Sequence, residues 1–555
     1  MSDRYYVTDT SLSERFPIYT RANVGEVFPD PVTPLTSDTA LFLAELGWRD
    51  AWERMGAFDP DEFPPDDYCQ LGVLGGYCYL NASLIRLFGE RAPGLSWQMM
   101  DEQFFGAQPG IPPYEEMPGD VRPDMTEKIG ATFTWVFGQQ SLDDLTELTD
   151  DRVETKALRT TRPDLSALTD ADLWARFQEM LPLHRKMFGH HLFTTYMATV
   201  PLGVITGVAT AVGRPDLIMP IISGIGDVDS AAPSHAMWQL SRLDPDSTEF
   251  SEGFEAFVHE FGSRGPNEWE SRSPSWETKP SLALVAIDRM RQAPDSADPV
   301  LQFAIRAGQR AEASAALLSM VAADPATHGQ LAAAIGCSAA WLPGRERTKT
   351  NNIRVVHEMR MAMRELGRRM VERGAFDEIE DFGFVREAEM ATLLADPHSL
   401  TEEVRSRRAE YRKLQELEPP FLFVGHASGP DTWARRDAAN ADHLATGDTL
   451  AGLPGCPGVA EGIARVILDS NDPSALEPGD VLIAPITDPS WTPLFVPAAA
   501  VVVDVGAALS HAIIVSRELG IPCVVSAVGA TRTIPNGARV RVDGNTGLVT
   551  ILSVP

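Results

Sequence analysis

The sequence predicts a multidomain chain, a mainly α-helical body followed by a small α/β unit at its C-terminal end. Three observations carry that reading. In residues 351–374, NNIRVVHEMRMAMRELGRRMVERG, the apolar Ile353, Val356, Met359, Met363, Leu366 and Met370 recur at spacings of three and four, and Gly374 supplies a stop. From Leu453 onward, short β-branched runs alternate with turn residues around one helical stretch. Between these parts, 419–452 is rich in Ala, Asp and Gly and has no period, as a linker would be. The expected boundaries are therefore 1–418 for the helical body, 419–452 for the linker and 453–555 for the α/β unit.

Within the body, residues 1–130 are punctuated by FPDPVTP and AQPGIPPYEEMPGD, which predicts irregular structure. The pattern is predominantly helical from about 168 to 418. Residues 187–213 contain no Asp, Glu, Lys or Arg, a run long enough to suggest a membrane helix. His190, His191, several threonines, Pro201 and interior glycines favour instead a buried helical hairpin lining a core or an apolar pocket, and no membrane span is expected. Arg354, Arg360, Arg364 and Arg368 fall on other faces of the 351–374 helix and read as a solvated surface. A linker of roughly thirty extended residues reaches on the order of 100 Å, enough for a domain that travels.

Composition narrows the partners. At 555 residues, 44% hydrophobic and 23% charged, the chain has the make-up of a globular protein of two or three domains. A net charge of −31 argues against nucleic acid or an anionic membrane as partner. The start, MSDRYYVTDT, has neither the basic nor the apolar region of a signal peptide. Cys69, Cys78, Cys337, Cys456 and Cys523 are scattered and never spaced as CxxC, which predicts free thiols, a cytoplasmic location and no metal site. No Gly-Lys pair occurs, hence no phosphate-cradling GxxxxGK loop.

The most informative stretch is 506–525, GAALSHAIIVSRELGIPCVV. A strand, a small-residue turn and a helix beginning at His511 are expected, with Gly520 as the stop and Ile-Pro-Cys-Val-Val as the next strand. Backbone N–H groups at such a helix start favour an anion, and they keep the imidazole neutral and nucleophilic by about 0.3–1 kcal/mol. Ser510 stands beside it. A structural histidine capping a helix start fits the same residues.

The flanking motifs extend this. LPGCPGVAEGIARVI (453–467), GDVLIAPITDPSWTPLF (479–495), the His511 segment and NGARVRVDGNTGLVTIL (536–552), in that order, resemble the swivelling phosphohistidine domain of the phosphoenolpyruvate-utilising enzymes. The resemblance implies that His511, assisted by Ser510, carries a phosphoryl group. Three departures stand out: Asp504 where Thr or Glu is usual, Ala507 for the second Gly and Cys456 for a Ser. The departure at Asp504 bears on how a phosphorylated ring is held.

Earlier, YTRANVGEVFPDPVTPLT (19–36), FVHEFGSRGPNEWE (257–270) and LGRRMVERGAFDEIEDFGFV (366–385) resemble landmarks of the acceptor-binding domain of rifampin phosphotransferases and their relatives. Ser263 replaces the His of their GHRG motif. The family's ATP-grasp module has no counterpart in these 555 residues, nor do the repeated strand–helix units of a (β/α)₈ barrel, so the chain is similar to split members such as phenylphosphate synthase. That implies an ATP-grasp subunit as partner, with ATP and Mg²⁺ bound there and none bound by this chain alone. Phosphoryl would pass from ATP to His511, leaving AMP and orthophosphate, and then to a hydroxyl of a small aromatic alcohol or phenol. The alternatives are a rifampin-like antibiotic phosphotransferase component, a phosphohistidine carrier without acceptor chemistry, and a catalytically retired homologue.

On the acceptor side, the landmark arginines Arg21 and Arg264 are candidates for a phosphate clamp, since a guanidinium matches phosphate oxygens bidentately. They serve equally well as loop anchors paired with Glu26 and Glu268. Glu268 is also a candidate to orient or deprotonate the acceptor hydroxyl. Tyr196, with His190 and His191, lines either the acceptor pocket or the core.

Overall fold

The computed structural model describes residues 5–105, 110–226, 228–436, 443–468, 476–487, 491–506 and 510–555. Six helices of the body position the site: α1 (Val24–Val27), α2 (Phe42–Met55), α3 (Thr146–Thr160), α4 (Asp170–Ala211), α5 (Pro299–Met320) and α6 (Pro325–Glu372). The spine is α4 and α6, 42 and 48 residues long, packed along one another with α2 against α4. Thr169 begins α4 by accepting from the Asp172 N–H, and Asp324 begins α6 by accepting from Ala326 and Thr327. Just past the end of α6, Gly374 takes the left-handed conformation at φ 74°, the stop its position in the sequence implied.

Several expectations are corrected here. The 187–213 segment is no hairpin, since α4 runs unbroken through Pro201 to Ala211. An interior proline costs a helix about 3 kcal/mol, which the long contact with α6 and α2 outweighs. By length and composition α4 could cross a membrane, yet half of its most apolar window is buried inside the protein. Residues 1–130 are less irregular than their prolines suggest, holding α2 and the helices Ala82–Arg91, Trp97–Phe104 and Pro123–Val136. Nor is the arginine face of α6 solvated throughout. Arg360 is fully buried and donates to the carbonyls of Glu268, Glu270 and Ser271, and Arg354 is buried beside Glu260. Only Arg364 and Arg368, paired with Glu380 and Glu365, approach the surface.

Where α2 crosses α4, Gly47 lies against the α4 backbone, and a Cβ there would stand 2.7 Å from the Arg185 carbonyl oxygen and 3.0 Å from the Gly189 nitrogen. Gly47→Val is therefore expected to destabilise the chain by about 1–3 kcal/mol, the range of overpacked cores. A urea midpoint equal to that of the parent would contradict this.

The segment expected as a free linker is partly sewn into the fold. Leu422–Val424 pairs antiparallel with Ile18–Thr20, Ala434–Arg435 with Leu417–Glu418, and Thr449–Ala451 with Leu548–Ser553. The C-terminal unit is one sheet in the order Thr449–Ala451, Leu548–Ser553, Arg539–Asp543, Val459–Val466, Val481–Ala484, Ala500–Val503, Cys523–Val525, Leu453–Cys456. Its centre is parallel, and Val481–Ala484 and Ala500–Val503 are buried at every residue, as strands covered on both faces must be. The helix α7 (His511–Leu519) follows the second of these, and Gly520 ends it at φ 72°. This unit docks on the body through a shared apolar cluster that joins its Trp491, Leu494, Phe495 and Ile513 to Met237, Trp238 and Phe257. All five cysteines are buried free thiols.

Candidate functional site

His511 is the first residue of α7, beyond the carboxyl end of a parallel strand, where ligands of open α/β sheets gather. Its side chain is 8% exposed. Thr487 Oγ1 stands 3.2 Å from Nδ1, Thr492 Oγ1 stands 3.2 Å from Nε2, and the Phe495 ring meets the imidazole edge-on at 5.9 Å. Both threonines belong to the 479–495 motif, so two of the resembling segments converge on one ring. The N–H of His511 donates to Glu26 Oε2 at 3.2 Å, so the positive end of α7 is met by a carboxylate of the body. Glu26 is presented by α1, whose start at Asn23 is held at φ 61°, a conformation that costs a non-glycine residue strain.

Burial, then the charges of Lys349, Arg264 and Arg345, hold His511 well below the ordinary histidine range, with Glu346 opposing. The ring is neutral, so one of its two nitrogens keeps the lone pair that a phosphoryl group needs. Ser510 Oγ is buried beside it without a hydrogen-bond partner among the described residues. Asp504, the departure noted in the sequence, accepts from the backbone and hydroxyl of Thr531 and so ties the end of a strand to the short helix Ala530–Thr533. Ala507 lies outside the described residues.

His511 and Ile514 form one wall of a cleft of about 1010 Å³, its open mouth included, whose other walls come from the body: Trp48 of α2, Phe188 and His191 of α4, Trp269, and Arg345, Glu346 and Lys349 of α6. A second lobe of about 700 Å³ shares Trp48, Leu192, Thr195 and Arg345 and adds Phe104, Tyr196, Phe421 and Ser510. Arg345 and Lys349 are one helical turn apart and so project from the same face. Burial, and then the Arg345 and Lys349 charges that outweigh it, leave the Glu346 carboxyl at about 2. Behind Lys349, Arg264 and Glu268 form a buried bidentate pair at 2.7 and 3.2 Å, and Lys349 Nζ lies 3.8 Å from Glu268. The site thus sets two cations beside a neutral imidazole in a largely apolar chamber. That arrangement suits a phosphoryl group in flight, which asks mainly for position and positive charge.

The residues singled out in the sequence divide. His511, Ser510 and Tyr196 line the chamber. Arg264 and Glu268 stand behind it as an ion pair, the anchoring role, although the charge of Arg264 reaches His511. Arg21 is not part of a clamp. Its guanidinium donates to the carbonyls of Cys78, Phe28 and Pro29 and lies over the Tyr77 ring. His190 faces away from the chamber, between Asp151 and Glu147, and those carboxylates overcome burial to raise it to about 9. The sequence reading missed Arg345, Lys349, Glu26, Trp48 and Trp269 as site residues. The i, i+4 pair Arg345 and Lys349, in a chain where lysine is rare, was the available signal.

Residues 476–547 match the family model of the PEP-utilising enzyme mobile domain, and residues 241–346 match that of the rifampicin phosphotransferase fourth domain. The second segment contains Arg264, Glu268, Arg345 and Glu346. The rifampicin phosphotransferase of Streptomyces sviceus is 31% identical over 341 residues, 60% of this chain and 37% of that protein. The prodigiosin synthesizing transferase of Serratia marcescens is 34% identical over 317 residues, 56% of this chain and 34% of that protein. An uncharacterized protein of Mycobacterium tuberculosis is 34% identical over 317 residues, 57% of this chain and 33% of that protein. The chain spans about a third of the length of these relatives.

Proposed function

We propose that this chain is the phosphohistidine component of an ATP-dependent phosphotransferase, in which His511 takes a phosphoryl group and passes it to the hydroxyl of an aromatic acceptor held against the wall of Trp48, Phe188 and Trp269. The observation that carries the reading is His511 itself, neutral and buried in the wall of an apolar chamber that also holds Arg345 and Lys349. The matches to the PEP-utilising mobile domain and to the rifampicin phosphotransferase fourth domain support it from the two sides of that chamber. ATP and Mg²⁺ are handled by an ATP-grasp module outside these 555 residues, on our reading a partner subunit. Using a histidine as intermediate nucleophile divides one displacement between two sites.

In the docked arrangement the two threonines orient the His511 ring, and the two α6 cations sit where charge must be neutralised as the P–N bond breaks. A phenol or small aromatic alcohol fits the chamber chemically. A larger aromatic molecule bearing a hydroxyl would want the same apolar wall. Acceptor size is therefore the test. Phenol, the cresols and benzyl alcohol should be compared with rifampicin as acceptors, together with an ATP-grasp partner, with phosphate ester read by mass spectrometry. Turnover of rifampicin alone would discard the small-phenol reading, and turnover of neither class would leave only the carrier.

A second expectation concerns the donor. Titration calorimetry of ATP into the purified chain should show no micromolar binding, since no phosphate-cradling loop occurs in its sequence. Heats that fit a micromolar site would refute the assignment of ATP to a partner.

A further inference from the structure

We propose that His191 is the general base of the acceptor step and that the phosphoryl group on His511 is what makes it basic. This rests on His511 being the phosphoryl carrier. His191 projects from α4 into the chamber that His511 closes, with the Trp269 ring 6.0 Å from its own and the Phe188 ring edge-on at 6.4 Å.

Its tautomer follows from its neighbours. The Thr348 hydroxyl has one proton, and it donates that proton to the Arg345 carbonyl at 2.9 Å. In that arrangement Thr348 Oγ1 accepts from His191 Nδ1, 3.2 Å away, the tautomer that the hydrogen-bond network assigns. Nδ1 carries the hydrogen, and Nε2, on the other edge of the ring, keeps its lone pair for a hydroxyl in the chamber.

The rival bases are committed elsewhere. Glu268 holds Arg264, Glu346 holds Arg345, and Glu26 accepts the backbone N–H of His511. His184 is hydrogen-bonded at both nitrogens, to Asn352 and to the Ala40 carbonyl.

The charges around His191 explain the coupling. From α6 it faces Arg345, Glu346 and Lys349, from α1 the carboxylate of Glu26, and across the chamber His511. Burial first, then Arg345 and Lys349, hold its pKa at about 3, so the resting imidazole is a poor proton acceptor. A docked phosphoryl group brings about −1.5 to −2 charges to the same two cations. That charge opposes their repulsion of an imidazolium and attracts one itself, so proton uptake at Nε2 is eased against the cost of burial. In the step itself, the acceptor oxygen bonds to phosphorus as its proton passes to His191 Nε2. The P–N bond breaks and its electron pair returns to the His511 ring, which takes up one proton from solvent. His191 later releases one to solvent, so the balance closes.

The test uses the full chain labelled with ¹⁵N-histidine, charged on His511 with potassium phosphoramidate, and followed by ¹⁵N NMR from pH 5.5 to 8.5. Signals of His191 are assigned by their loss in His191→Asn. The uncharged chain should show a neutral Nδ1–H ring throughout, and charging should bring a midpoint into that window, a rise of more than about two units and over 100-fold in proton affinity. An Nε2–H ring, or a midpoint that does not move on charging, overturns the proposal. Failure of phosphoramidate to place acid-labile label on His511 removes the carrier reading and this one with it. If instead His511 is charged and only the midpoint stays fixed, the carrier reading survives alone. Where the charged chain phosphorylates rifampicin, His191→Asn should slow that transfer at least about 100-fold and abolish its fall toward acid pH. An unchanged rate overturns the proposal.

Discussion

His511→Ala is expected to carry no acid-labile, base-stable phosphate and to transfer none, a fall of about 10⁶-fold when a covalent nucleophile is deleted. The ring is held by Thr487 and Thr492 and packs on Phe495, so its removal also leaves a small void. His511→Asn, which keeps much of that volume and a polar edge for the threonines, separates the two effects. It should melt near the parent and be equally inactive. Label on a different peptide in either variant, with transfer retained, would move the nucleophile elsewhere and remove the central claim.

Lys349→Met should give the second large effect, with a different signature. His511 remains chargeable, because its phosphorylation takes place away from α6 in this reading, while transfer to the acceptor slows about 10²–10³-fold, the size of losing one preorganised stabiliser of transition-state charge. Stability should hardly suffer. Lys349 is partly buried, which lowers its pKa, and Glu268 keeps its partner Arg264 when the lysine is gone. Replacing a buried charge by an apolar side chain of similar length is often neutral or stabilising. A variant that transfers at the parental rate would mean that the α6 cations are structural.

The C-terminal unit was legible because its chemistry is local. The helix start at His511, the stop at Gly520 and the strand at Cys523–Val525 each follow from residues a few positions apart, and the structure has all three, while 507–509 of the expected turn lie outside the described residues. On the body the sequence misled where tertiary packing overrides local preference. Pro201 suggested a break, but α4 gains more from lying along α6 than it loses at one hydrogen bond. Arg360 looked like surface because charge normally is, yet the carbonyls of Glu268, Glu270 and Ser271 give its guanidinium partners that no sequence window contains. Arg21 failed as a clamp for the same reason, its donors taken by carbonyls up to 57 residues away. The chamber was hidden most deeply, since Trp48, His191, Trp269, Lys349 and His511 meet only when α2, α4, α6 and the C-terminal unit have all docked.

The depth at which His511 sits decides who its competitors are. A phosphohistidine is a reactive store, and water is the hydroxyl most abundant around any protein. In the docked arrangement the ring is 8% exposed, walled by Ile514, by aromatic side chains of the body and by its two threonines. Excluding solvent from such a site suppresses hydrolysis of the intermediate. The same wall makes an occupied chamber the tighter seal, because an acceptor that fills it displaces the water that would otherwise discharge the ring. Phosphohistidine lifetime is then a measure of fit: a hydroxyl compound that is merely small wastes the charge, and one that fills the chamber collects it.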